Sequence, residues 1–234
     1  FIATPHKGSL EAVETLISGE SPMLGGQKEM RKLARTFPAV YELLPLYKNG
    51  VMTVEKNGIE LDLFQETNWQ DNTRSDFPDR DPHGYSVEQV HLNAAKAVLT
   101  DLPAPDDPVA GLKREDLLVV YGAKKNSTKQ KILVSNDTQQ WYDFDHAEKG
   151  LGDDVVPEGS AKLPGVTAVK ILDTDLNYFL HPVQRAMVAS DLHAFLPALD
   201  EVQTIVANFF AGGQGTDLLP INLQRETPSR VSIG

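Results

Sequence analysis

Apolar positions along the chain fall into three patterns, each predicting a different element. Short, mainly apolar runs at Phe1 to Thr4, Leu117 to Tyr121 and Val166 to Leu172 predict buried strands. Helical spacing recurs over Leu10 to Ser18, with Ser9 placed to cap it, Glu11 and Glu14 early in it and Gly19 to stop it. The same period runs over Gln27 to Leu46, where Met30, Leu33, Ala34 and Phe37 share one side and Pro38 breaks the run. It returns over Val87 to Leu102 and over Val183 to Phe210, the last interrupted near Pro197. Alternation marks Lys131 to Ser135 and Gln140 to Phe144, which flank Asn136-Asp137 and predict a hairpin. Turn dipeptides Asn49-Gly50 and Asn57-Gly58 predict a smaller hairpin around Val51 to Glu55.

Long helical stretches between the buried strands predict an α/β fold with a mainly parallel sheet. Residues 1–9 and 113–211 would form its core, residues 10–112 a helical cap or lid inserted between the first two strands, and 212–234 an extended tail. A length of 234 residues suffices for one core plus such a cap. Lys and Arg number 22 against 33 Asp and Glu, a net charge of −11 that repels phosphate backbones and excludes nucleic acid as a partner. That charge does not stop an apolar lid from making interfacial contact with neutral lipid. Cysteine is absent, which excludes disulfides and thiolate metal sites. No apolar run approaches the roughly 20 residues that span a bilayer, and no targeting signal is visible.

Candidate chemistry lies in an acidic turn and a later histidine. Gly152-Asp153-Asp154-Val155-Val156-Pro157 follows the predicted hairpin, and His181 follows the Val166 strand, 28 residues after Asp153. Order and spacing fit the last two members of a Ser…Asp…His triad on an α/β-hydrolase sheet, both at the strand ends where loops converge. A serine hydroxyl needs an imidazole to take its proton and a carboxylate to fix the imidazole tautomer. Asp153 is the expected acid, with Asp154 as its alternative, and His181 is the expected base. Only one of the two adjacent carboxylates can reach the ring. Asp173 and Asp175 are weaker alternatives on the same arm as His181, and His193 is set aside because it falls inside a predicted helix. No G-x-S-x-G occurs, so the nucleophile is expected on a segment preceding Phe1. The chain then reads as the C-terminal part of a larger enzyme, inactive alone. The alternative is a non-catalytic hydrolase-like scaffold that binds a partner.

Ala3-Thr4-Pro5-His6-Lys7-Gly8-Ser9 resembles the G-T-P-x-x-G-S segment of lipase-like α/β-hydrolases. Arg35 through Pro45 (RTFPAVYELLP) resembles the helix-and-proline signature of the lecithin:cholesterol acyltransferase family. The acidic turn is similar to that family's G-D-G-T-V-P, with Asp154 and Val155 in place of Gly and Thr. His181 with Met187 resembles its C-terminal turn and helix. The resemblance implies a partial α/β-hydrolase fold and acyl transfer on ester or lipid substrates through a serine acyl-enzyme. The family's acid maps onto Asp153 and its base onto His181, and no cofactor is called for.

Rival chemistries fare worse. Gly19-Glu20-Ser21-Pro22-Met23 matches half of a nucleophile elbow but follows a helix rather than a strand. Asp79 to Gly84 imitates the start of a calcium loop, yet its twelfth position is Val90 where a bidentate Glu is needed. Six scattered histidines without Cys or H-E-x-x-H offer no zinc site. Met23, Leu24 and Phe64 lie in loops and are candidates for substrate contact. Phe37, Tyr41, Leu44 and Leu46 could line an acyl groove but at helical spacing are expected to pack the core. Lys124, Lys125 and Lys129 read as a solvated face.

Overall fold

The computed structural model describes residues 1–19, 27–54, 58–74, 85–101, 113–135, 141–172, 186, 189–219 and 231–232. Helices are α1 (Leu10–Ile17), α2 (Gln27–Thr36), α3 (Pro38–Tyr41), α4 (Gln89–Asp101), α5 (Glu158–Ala161), α6 (Leu192–Phe195) and α7 (Asp200–Phe210). Strands are β1 (Val51–Thr53), β2 (Leu118–Gly122), β3 (Lys124–Ser135), β4 (Trp141–Gly152), β5 (Thr167–Ile171) and β6 (Val231–Ser232). The fold is mixed α/β with two three-stranded sheets, β2-β5-β6 and β1-β3-β4. Two compact units result, residues 1–6, 103–128 and 150–234, and residues 7–102 and 129–149. The second unit therefore takes the outer part of the β3–β4 hairpin, which the sequence reading assigned to the core.

In the first unit β2 and β5 run parallel with Leu118 opposite Thr167, and Ile2 bridges Val120 in parallel on the other side. All five β2 residues are buried, as a central parallel strand requires. Its alternate residues feed two cores. Leu118 and Val120 join Val169 and Ile171 with Leu192, Leu196, Val202 and Ile205 from α6, the following turn and α7. Val119 and Tyr121 join Val156, Ala161 and Ala168 on the opposite face. The sheet is thus covered on both faces, and its strand ends are free to carry loops.

The expected extended tail is corrected over its described part. Gly215–Leu218 forms a 3₁₀ turn, Leu218 and Leu219 are buried in the first of these cores, and β6 pairs antiparallel with β5. Gly and polar residues around the Leu218-Leu219 pair disguised an apolar anchor.

The second unit packs around α1, whose Leu10, Val13, Leu16 and Ile17 are buried. Ser9 caps it as expected, its Oγ accepting the Glu11 N–H at 3.2 Å. Pro38 divides the predicted long helix into α2 and α3. The predicted small hairpin survives as a Met52–Glu60 antiparallel bridge, but β1 itself pairs parallel with β3. Trp69 is fully buried, its indole N–H donating to the Leu63 carbonyl at 2.8 Å. Tyr41 and Leu44 are core residues, whereas Phe37 and Leu46 are exposed. Lys129 is no solvated residue: its Nζ donates to Glu11 and Glu14 at 2.7 and 2.6 Å. Among the described residues no helix is long and apolar enough to cross a membrane.

Candidate active site

β4 ends at Gly152, and the turn after it is organised by its own first side chain. Asp153 Oδ1 accepts the N–H groups of Val155 and Val156 at 3.2 and 2.7 Å, and the Asp153 N–H donates back to the Val156 carbonyl at 3.2 Å. Asp153 is 1% exposed, so a buried carboxylate receives two amide donors on one oxygen and keeps the other for a partner. That partner is His193, whose Nδ1 lies 2.9 Å from Asp153 Oδ2. A carboxylate oxygen accepts, which assigns the proton to Nδ1 and leaves the lone pair of the neutral ring on Nε2. The pair stands at the C-terminal end of β2, where Gly122 leaves room for Asp153 and Leu192: a Cβ there would lie 2.8 Å from Asp153 Cβ and 2.7 Å from a Leu192 methyl.

In the sequence, the neighbours of His193 read as the middle of one helix from Val183 to Phe210. Asp191 breaks that run. It is extended at φ −157°, and its side chain accepts the Ala194 N–H at 3.0 Å, so α6 begins afresh at Leu192. The ring therefore sits in the first turn of a short helix, with its side chain about a third exposed. An Asp three residues before an amide it can cap, followed closely by Pro197, was the available signal. His181, the expected base, lies outside the described residues, as do Asp173, Asp175, Ser21, Met23, Leu24 and the Asp79–Gly84 segment.

Asp154 does not compete for the ring. Its carboxylate takes the Lys124 ammonium at 3.0 Å and the Leu192 N–H at 2.9 Å. Lys124 is thus an ion-pair partner at the site, not part of a solvated face. Among the described residues no serine or threonine hydroxyl is hydrogen-bonded to His193. Phe64 is a buried residue of the second unit that lines an open cleft of about 360 Å³ with Leu46, Tyr47, Asp62 and Lys96. Lys96 Nζ there lies 3.2 Å from Asp62 and 5.5 Å over the Phe64 ring, while the buried Tyr47 hydroxyl has no hydrogen-bond partner among the described residues.

Burial alone would lower the His193 pKa; the hydrogen bond to Asp153 and the charges of Asp153, Asp191 and Asp154 outweigh it and raise the value above 6.5. His6 in the same unit moves the other way: burial drives it down to about 4, and its buried Nε2 has no partner among the described residues. The signs then differ. A raised folded pKa gives stability that is complete below pH 6.5 and lost as pH climbs through the folded value. A depressed histidine gives stability present above pH 6.5 and lost as pH falls toward 4. Denaturant titrations across pH should show His193→Gln flattening the alkaline limb and His6→Asn the acid limb. An alkaline limb that persists unchanged in His193→Gln would assign it to other groups.

Comparison of the chain with family models, with curated proteins and with solved structures finds no match.

Proposed function

We propose that Asp153 and His193 are the acid and base of a serine acyl-transfer site on the C-terminal portion of an α/β-hydrolase fold. The nucleophile is a serine supplied by a segment outside these 234 residues. The observation that carries this reading is the 2.9 Å contact of a buried carboxylate, fixed by two backbone amides, with Nδ1 of a partly exposed imidazole. Parallel strands covered on both faces, with the acid after a strand and the base ahead of the last long helix, support the fold assignment and its chain order.

Asp153 holds the Nδ1–H tautomer, so the Nε2 lone pair faces the nucleophile's proton. When the serine attacks an ester carbonyl its proton passes to Nε2, and Asp153 stabilises the imidazolium that forms. The same nitrogen returns the proton to the departing alkoxide. Water or an acceptor hydroxyl then resolves the acyl-enzyme, its proton taken by Nε2 in turn. The substrate proposed is an ester with an apolar acyl chain; the second unit by itself exposes Leu33, Phe37, Leu43 and Leu46, side chains suited to contact with neutral lipid.

The complete gene product, incubated with a nitrophenyl ester, should release nitrophenol and carry a fluorophosphonate label on one serine. Adding an alcohol acceptor separates hydrolysis from transacylation. A gene product that encodes no G-x-S-x-G and neither turns over nor labels would sink catalysis and favour a binding scaffold.

A further inference from the structure

A second set of contacts ties the segment carrying His193 to the acidic turn without touching the ring. Asp154 occupies φ 83°, a left-handed conformation that disfavours residues with a Cβ. Its N–H donates to the Thr128 hydroxyl at 2.9 Å. Its Oδ2 accepts the N–H of Leu192, the residue before the histidine, at 2.9 Å. Lys124 Nζ donates to both Asp154 oxygens, at 3.0 and 3.2 Å, and to the Ala189 carbonyl at 2.8 Å. The chain is therefore fastened at Ala189 and again at Leu192, and both fastenings lead to the turn that holds Asp153. A solvated ion pair contributes little and has no need of backbone partners. Here the two charged side chains are about a quarter and a fifth exposed and engage one amide and one carbonyl of the same short segment.

We propose that Asp154 and Lys124 are positioning residues, a clamp that sets the approach of His193 to Asp153. The clamp rests on the reading of Asp153 and His193 as acid and base. It accounts for a carboxylate at a backbone position where glycine would be unstrained. The side chain does what glycine cannot, by joining the turn to the base-bearing helix.

The test is histidine-selective ¹⁵N NMR of the whole 234-residue chain, with the His193 signals assigned through His193→Gln. Wild type should show the Nδ1–H tautomer, slow exchange of that proton and a raised ring pKa. Lys124→Met separates two causes by sign. Removing a cation by charge alone raises the His193 pKa, whereas loosening the loop weakens the Asp153 bond and lowers it. The clamp requires the value to fall and the Nδ1 proton to exchange about tenfold faster or more, the scale of one lost charge-assisted hydrogen bond. Lys124→Arg should restore most of both. Asp154→Gly relieves the backbone conformation yet should speed exchange to the same extent; an unchanged rate overturns the clamp, as does a pKa that rises or stays fixed in Lys124→Met. Lys124→Met leaves the turn backbone intact and carries the test if Asp154→Gly fails to fold. Asp153→Asn serves as the separate control. If it leaves the ring pKa at the wild-type value, the acid–base reading itself fails, whatever the clamp variants do.

Discussion

His193→Ala should cut ester turnover by the complete gene product by about a thousandfold or more, while His181→Ala should leave it within a few-fold. The size follows from the role. General base catalysis is worth on the order of 10² to 10⁴, and without the imidazole the serine proton has no positioned acceptor as the hydroxyl attacks. The loss should fall on kcat and kcat/KM together, because the imidazole acts on the proton in flight rather than on bound ester. Truncation also strands Asp153 Oδ2 in a site that is 1% exposed, costing about 1–3 kcal/mol of stability. His193→Gln is the cleaner partner, since its amide can still donate to the carboxylate. Circular dichroism melts of the three variants separate the two effects. A severe His181→Ala beside a mild His193→Ala would move the base to His181 and reduce the Asp153–His193 contact to structure.

The Asp153 turn was legible in the sequence because it is local. Gly152 through Pro157 contains both the carboxylate and the amides that bind it, so the six residues define their own geometry. The buried strands were legible for a similar reason: β2 is a mainly apolar run buried at every position, and β5 contributes Ala168, Val169 and Ile171 to the cores on its two faces. The place of His193 was not, because it depends on a helix break that the apolar period conceals. Leu192, Leu196, Leu199 and Val202 keep helical spacing straight through the junction at Leu196–Ala198. Asp191, three residues before the Ala194 amide and closely followed by Pro197, was the one local sign of that break. The contacts of Lys124, Lys129 and Asp154 are hidden in the sequence for a related reason. Their partners lie far along the chain, and charge alone does not reveal whether an ammonium meets water or a carboxylate.

Gly152→Ala should be among the most damaging single-methyl additions in the first unit, and Gly159→Ala, seven residues on, among the mildest. A Cβ on Gly152 would lie 2.2 Å from Thr128 Oγ1, 2.6 Å from Thr128 Cβ and 2.5 Å from the Val156 carbonyl oxygen. No rotamer change relieves this, because one of those atoms is backbone and another is fixed directly to it. The chain must open instead, and several contacts go with it. The Asp153 N–H bonds that same Val156 carbonyl, Gly152 bridges Pro157, and Thr128 holds the Asp154 N–H. Overpacking of this kind costs about 1–3 kcal/mol, and each lost hydrogen bond about 1 more. A total near 3 kcal/mol or above is expected, with His193 losing its slow-exchanging Nδ1 proton because the acid turn no longer presents Asp153. Truncating Thr128 to Ala should not rescue it, since Cβ and the Val156 oxygen both remain. At Gly159, inside α5, a Cβ meets nothing within 4 Å, so alanine there should stabilise by about 0.5–1 kcal/mol through backbone entropy. The contrast ties the cost to the turn rather than to glycine content. Were Gly152→Ala to melt with the wild type and keep its Nδ1 signal, the tight packing of Thr128 and Val156 around the acid would be wrong, and the site built on it with it.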